Sequence, residues 1–188
     1  MATILVVYDT KYGQTEKIAQ FVASLARQRG HAANAVHVGA IAASAQLDVA
    51  DGVVVLAPVF VGKHMPSVAE FVSNHRRELA SRPTAFFSIS GSAGSPKRAE
   101  REQARRIADE LLAQTQWRPR VVACFGGKID YPRYNVFIRF VMKQIAKRNG
   151  GSTDTSRAHE LTDWAAVERT TTDFLTQVEL VATAGAAA

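Results

Sequence analysis

The sequence predicts an α/β protein built on one doubly wound, five-stranded parallel sheet of order 2-1-3-4-5, with a long insertion after the fifth strand. Three observations predict it. Short apolar, β-branched runs alternate with helical patterns along most of the chain, and such alternation builds βαβ units with helices on both faces of a parallel sheet. Several of the runs are apolar throughout rather than at every second residue, as strands covered on both faces are. The length of 188 residues holds five such units in a single domain.

The elements follow in order. Thr3 to Tyr8 (TILVVY) is the first strand. Gln14 to Arg29 is a helix with Ile18, Phe21, Val22 and Leu25 on one side, and Gly30 is placed to end it. A weaker strand lies around Ala33 to Val38. Gly52 to Leu56 (GVVVL) is the third strand, entered through the turn-like pair Asp51-Gly52. Ser67 to Leu79 is a helix with Pro66 at its start. Thr84 to Ile89 is the fourth strand, Lys97 to Gln114 a charged helix and Arg120 to Phe125 the fifth strand. Trp164 to Val181 is the last helix, with Thr162 as its N-cap. The domain spans 1–181, the insertion about 127–151, and the small-residue stretch 182–188 reads as a flexible tail.

Composition narrows the class. Hydrophobic residues make up 47% and charged residues 21%, as in ordinary globular chains. The lone cysteine, Cys124, permits no internal disulfide, excludes a cysteine-built metal site and suits a reducing compartment. No metal ligand set stands out. No apolar run approaches the ~18 residues that a spanning helix needs. The formal net charge of +6 favours an anionic partner. The aromatic-interleaved basic patches of RNA-binding folds are absent, so nucleic acid is not expected.

In a sheet of this order, ligands bind beyond the carboxyl ends of the strands, at the switch between strands one and three. After the first strand comes Asp9-Thr10-Lys11-Tyr12-Gly13-Gln14-Thr15, and a helix begins at once. A helix N-terminus presents unpaired N–H groups and a positive dipole end, which suits phosphate. Gly13 lets the backbone turn close to an anion, and Thr10 and Thr15 carry hydroxyl donors. The pattern is neither the dinucleotide nor the Walker glycine motif. Plain helix capping by the two threonines is the structural alternative. The segment resembles the T-x-T-G-x-T fingerprint that holds the FMN phosphate in flavodoxins, with Tyr12 in place of the middle threonine. The resemblance implies a flavodoxin-like fold and FMN as cofactor.

It also implies that the loops after strands three and four border the flavin ring. The first, Pro58-Val59-Phe60-Val61-Gly62, is apolar and continues into Lys63 and His64. The second, Ser90-Gly91-Ser92-Ala93-Gly94, is small enough to bring backbone amides to the ring edge. Phe60 and His64 read equally as packing residues.

The insertion carries Gly126-Gly127-Lys128-Ile129-Asp130-Tyr131-Pro132-Arg133-Tyr134 and then Asn135 to Arg148, a basic amphipathic helix pattern with Phe137, Phe140, Val141 and Ile145 on one face. Such a helix suits an anionic membrane surface, a partner helix or its own domain. With Gln116-Trp117-Arg118-Pro119, Tyr131-Pro132-Arg133-Tyr134, Gly150-Gly151-Ser152-Thr153-Asp154-Thr155 and Leu161-Thr162-Asp163-Trp164, the chain is similar, from about Ala2 to Val178, to the FMN-dependent, quinone-linked protoporphyrinogen IX dehydrogenases of bacterial haem synthesis. That resemblance implies oxidation of a tetrapyrrole, a quinone as acceptor, and a cytoplasmic protein loosely attached to the inner face of the cytoplasmic membrane, through residues 135–148. Arg133 and Lys63 are candidate contacts for the two substrate propionates. A flavodoxin-type electron carrier or an NAD(P)H-fed FMN reductase is the alternative, and a flavin-free binding module a third reading. The sequence leaves the oligomeric state open.

Overall fold

A computed structural model gives the architecture, and it describes residues 1–133, 136–137, 139–140, 144, 147 and 154–186. The elements are β1 (Thr3–Tyr8), α1 (Gln14–Gln28), β2 (Ala32–His37), α2 (Ile41–Leu47), β3 (Gly52–Phe60), β4 (Lys63–His64), α3 (Pro66–Asn74), α4 (Arg76–Ala80), β5 (Thr84–Ser90), α5 (Arg98–Thr115), β6 (Val121–Gly126), β7 (Lys128–Asp130), β8 (Ala158–Glu160) and α6 (Trp164–Ala186). The main sheet runs β2-β1-β3-β5-β6, all parallel, with β4 added antiparallel to β3. Leaving out that short strand, the order is the 2-1-3-4-5 that the alternation predicts.

The strands are apolar on both faces because both faces are covered. Ile4, Val6 and Tyr8 of β1 pack with Val22, Phe174 and Val178 of α1 and α6. Leu5 and Val7 point the other way, toward Leu47, Val68, Phe71, Leu79 and Leu111 of α2 to α5. Each such buried Leu, Ile or Val contributes about 1.5–3 kcal/mol over an exposed one. Phe86 is fully buried between His64 and Trp117, at 5.4 and 5.6 Å between ring centroids. Its truncation to Ala would cost about 3–5 kcal/mol. Cys124 sits half-buried in β6, its thiol pushed up by burial and donating to the Ala104 carbonyl at 3.8 Å.

Four local differences from the sequence pattern have physical reasons. Among the described side chains of α2 only Ala43 and Leu47 are buried, too few to display a period. The helix expected over Ser67 to Leu79 is two helices, because His75 leaves helical geometry at φ −112 and ψ 25 with its ring against Phe71 at 4.8 Å. β3 does not stop at Leu56. Leu56 accepts from the Asp9 N–H, so Pro58, two residues on, faces the side where β1 has already ended, and its missing N–H breaks no ladder bond. Thr162 does not cap α6. Asp163 does, accepting from the Ala166 N–H at 2.9 Å, and α6 continues to Ala186, past Val181.

The chain leaves β6 into a small antiparallel sheet, β7 with β8, and the insertion lies between these two strands. Residues 136–137, 139–140, 144 and 147 are helical. The rest of the helix expected over Asn135–Arg148, Tyr134, and Gly150 to Thr153 of the glycine-rich motif lie outside the described residues. No helix among the described residues is long and apolar enough to cross a membrane.

Candidate functional site

The carboxyl ends of β1, β3 and β5 lie on one edge of the sheet and bring the three expected loops together. In the first loop, Gly13 takes φ 89 and its N–H donates to Thr10 Oγ1 at 2.9 Å. This closes a tight turn that only glycine adopts without strain. Helix α1 starts at the next residue. The first turn of a helix leaves its N–H groups without intrahelical partners, and those of Gln14, Thr15 and Glu16 bond nothing else among the described residues. Thr15 is buried at 2% exposure, and its hydroxyl is the second on this turn. The Thr10 hydroxyl accepts one bond and keeps its proton to donate. Unpaired amides, two hydroxyls and a helix dipole form a donor set that fits a phosphate.

Asp9 holds this turn in place. Its buried carboxylate accepts from the Thr10 N–H at 2.6 Å and from the Ser67 hydroxyl at the start of α3, and meets His37 Nε2 at 3.2 Å at the end of β2. Nothing local in the sequence marks Asp9 for this role, since its partners Ser67 and His37 are distant in the chain.

The second loop is a hairpin. β3 turns at Val61 and Gly62 into β4, with positive φ at both residues, 50 and 76. This is the geometry of a type I′ turn, whose twist suits a hairpin. A β-branched residue is strained there, and Val61 is 85% exposed, so nothing packs around it. Pro58, Val59 and Phe60 are half-buried, and Gly62 and Lys63 exposed. His64 anchors the hairpin. Its Nδ1–H donates to the Pro58 carbonyl at 3.3 Å, and Nε2 lies 3.4 Å from the Ser88 hydroxyl. Burial lowers its pKa to about 4, against the Pro58 bond, so the ring is neutral at physiological pH. It is a packing histidine.

The first two loops meet at Phe60. Lys11 Nζ sits 3.4 Å from its ring centroid, and the Tyr12 ring lies 6.4 Å away. In the third loop, the Ser90 hydroxyl accepts from the Ala93 N–H, and Gly94 closes the 3₁₀ turn Ser92–Gly94 onto Gly91. The N–H groups of Gly91 and Ser92 bond nothing among the described residues and are available to a ligand edge.

The Gln14 side chain points away from the turn, donating to Glu160 Oε1 at 3.1 Å and Thr162 Oγ1 at 2.9 Å. Only its backbone N–H belongs to the donor set of the turn. Lys63 stands on the hairpin. The Arg133 backbone forms the 3₁₀ turn Tyr131–Arg133, and its side chain lies outside the described residues.

A flavodoxin domain family model matches residues 5–156. The protoporphyrinogen IX dehydrogenase (quinone) of Escherichia coli K12 is 36% identical over 163 residues, 87% of this chain and 89% of the relative. The Leishmania major protein of the same name is 35% identical over 120 residues, 63% of this chain and 51% of its own length. Among solved structures, an apo NADH:FMN oxidoreductase superposes with a TM-score of 0.56 at 14% identity, covering 93% of this chain and 88% of its own. An archaeal flavodoxin superposes at 0.55 and 14%, covering 94% and 99%. At that identity these two establish the fold alone. The E. coli match over 163 residues cannot avoid the segment between β7 and β8, so it extends beyond the common sheet. The chain belongs to the flavodoxin domain family and, within it, to the family of the quinone-linked protoporphyrinogen IX dehydrogenases.

Proposed function

We propose that this chain uses FMN to oxidise protoporphyrinogen IX to protoporphyrin IX and passes the electrons to a quinone. The observation that carries this reading is the 36% identity to the E. coli dehydrogenase over nearly the full length of both chains, insertion included. Membership of the flavodoxin domain family implies a flavin. FMN specifically is supported by the turn Thr10-Lys11-Tyr12-Gly13-Gln14-Thr15, whose donors suit one terminal phosphate.

When bound, FMN supplies the redox chemistry. The protein holds and orients it. Thr10, Thr15 and the N–H groups of Gln14, Thr15 and Glu16 bind the phosphate. Pro58 to Gly62 and Ser90 to Gly94 border the ring, the first by apolar contact and the second by amides. His64 stays neutral and keeps the hairpin seated against β5. Lys63 and Arg133 meet the substrate propionates. The Asp9–His37 pair beside the turn braces it, with Asp9 also held by Thr10 and Ser67, and proton release from the substrate goes to water.

The insertion is proposed to rest on an anionic membrane at the inner face of the cytoplasmic membrane, where a quinone is reached. Val136, Phe137 and Phe140 are 83%, 75% and 61% exposed, and Lys147 is exposed as well. Apolar side chains flanked by basic ones favour such an interface.

The test is anaerobic. FMN-loaded protein is mixed with protoporphyrinogen IX and a menaquinone analogue, and porphyrin fluorescence is followed against a protein-free control. Quinone-dependent fluorescence is expected. Bound flavin without porphyrin formation overturns the tetrapyrrole assignment in favour of an electron carrier or FMN reductase.

A further inference from the structure

The strand that returns from the insertion ends on the phosphate turn. Glu160, the last residue of β8, accepts from Gln14 Nε2 at 3.1 Å, Lys17 Nζ at 3.2 Å and Trp164 Nε1 at 2.7 Å. Gln14 and Lys17 belong to the first turns of α1, and Trp164 opens α6. Partial burial pushes the Glu160 carboxyl up, but the bonds from Gln14, Lys17 and Trp164 outweigh it and hold it below the usual carboxylate range. It is therefore an anion at physiological pH, and its bonds are charge-assisted.

The next two residues continue the contact. Thr162 Oγ1 accepts the second Gln14 hydrogen and donates to the Gly126 carbonyl at 2.8 Å. Leu161 lies so close to the third loop that a Cβ on Gly94 would sit 2.6 Å from Leu161 Cβ, and one on Gly126 would sit 2.0 Å from the Leu161 carbonyl oxygen. The Leu161 N–H donates to the Gly127 carbonyl at 2.8 Å. The strap Glu160-Leu161-Thr162 thus touches the phosphate turn on one side and the Ser90–Gly94 loop on the other.

We propose that Glu160 is a positioning residue for the cofactor phosphate: through Gln14 and Lys17 it fixes the first turn of α1 to the strap that leaves the insertion. The assignment rests on the flavin reading above. Glu160 touches no part of the ligand. It acts by removing rotational freedom from the segment whose N–H groups must converge on one anion, so its effect falls on the phosphate and not on the flavin ring. The same bonds make the return from the insertion part of the cofactor site.

The experiment compares FMN with riboflavin, which lacks the phosphate, by flavin fluorescence titration of the full chain and of Glu160→Gln and Glu160→Ala. The Gln variant keeps the side-chain shape and one acceptor but loses the charge. FMN dissociation constants are expected to rise about tenfold in the Ala variant and by a smaller factor in the Gln variant, with riboflavin affinity unchanged in both. Loss of FMN and riboflavin affinity by the same factor means general loosening of the fold and overturns the assignment. Unchanged FMN affinity in a folded Glu160→Gln protein, checked by circular dichroism, overturns it too, and that variant carries the test alone where the Ala protein does not fold. A wild-type chain that binds neither flavin defeats the flavin reading itself, before any variant is made.

Discussion

The ammonium of Lys11 lies 3.4 Å from the centroid of the Phe60 ring, and this contact joins the loop after β1 to the hairpin after β3. A cation over a ring face is worth about 0.5–1 kcal/mol at an exposed site. It keeps a positive charge at the mouth of the phosphate turn and holds the hairpin beside it. Phe60→Leu preserves apolar contact and removes the π-face. The FMN dissociation constant is expected to rise about threefold, read by fluorescence titration. An unchanged constant would separate the two loops energetically.

His64 gives a dependence on pH with a defined sign. The folded value is lowered to about 4 from 6.5 by burial. Above 6.5 the ring is neutral in both states, and the group adds no pH dependence. Between 6.5 and about 4 the unfolded chain binds a proton that the native chain refuses, so stability falls as pH falls. The full loss is about 3 kcal/mol. Denaturant unfolding at pH 7 and pH 4.5 should show a smaller loss for His64→Gln than for the wild type. Equal losses would mean that His64 does not carry the effect.

Lys63 projects from β4 and is exposed, with Gly62 before it. Lys63→Ala and Arg133→Ala are each expected to raise the KM for protoporphyrinogen several-fold while FMN remains bound, as removal of a carboxylate contact made equally in ground and transition states does. Steady-state kinetics with the absorption spectrum of the bound flavin check both. An unchanged KM removes that residue from the substrate site.

The sheet was legible because burial on both faces leaves continuous apolar runs, and β1, β3 and β5 each show one. The tight turn after β1 was legible because its pattern is local: Gly13, two threonines and a helix start lie within six residues. The hairpin was not, because a proline ordinarily ends a strand, and the register that pairs Tyr8 with Leu56 and leaves Pro58 beyond the end of β1 is not written around Pro58. Nor was the role of Glu160, which contacts Gln14 and Lys17 across 146 and 143 residues of sequence. Thr162 shows the same limit. A threonine two residues before Trp164 reads as a cap, yet its hydroxyl serves Gly126 and Gln14 in space, and the neighbouring Asp163 caps instead.

Val61 supplies a stabilising substitution. Its φ of 50 is a left-handed conformation that costs a β-branched residue about 1–2 kcal/mol, and its side chain is exposed. Asn accepts that conformation, and Asn-Gly is the preferred type I′ pair. Val61→Asn is expected to stabilise the fold by about 1 kcal/mol and to raise Tm by ~2–4 °C. A thermal melt decides, and a lowered Tm would show that Val61 has contacts that offset its strain.

Gly126→Ala tests the close approach of the strap to the third loop. The added Cβ would lie 2.0 Å from the Leu161 carbonyl oxygen and 3.0 Å from Gly94 Cα, both backbone atoms that cannot rotate away. The strap must shift, and the Thr162 bond to the Gly126 carbonyl is strained with it. Overpacking of this kind costs about 1–3 kcal/mol, and the displaced Gly94 loop should also weaken flavin binding. Gly91→Ala is the contrast: a Cβ there meets nothing within 4 Å, so stability should hold. Urea unfolding of the two variants, with FMN titration of the first, distinguishes them. If Gly126→Ala matches wild-type stability, Leu161 yields without cost and the strap is not the rigid brace that its contacts describe.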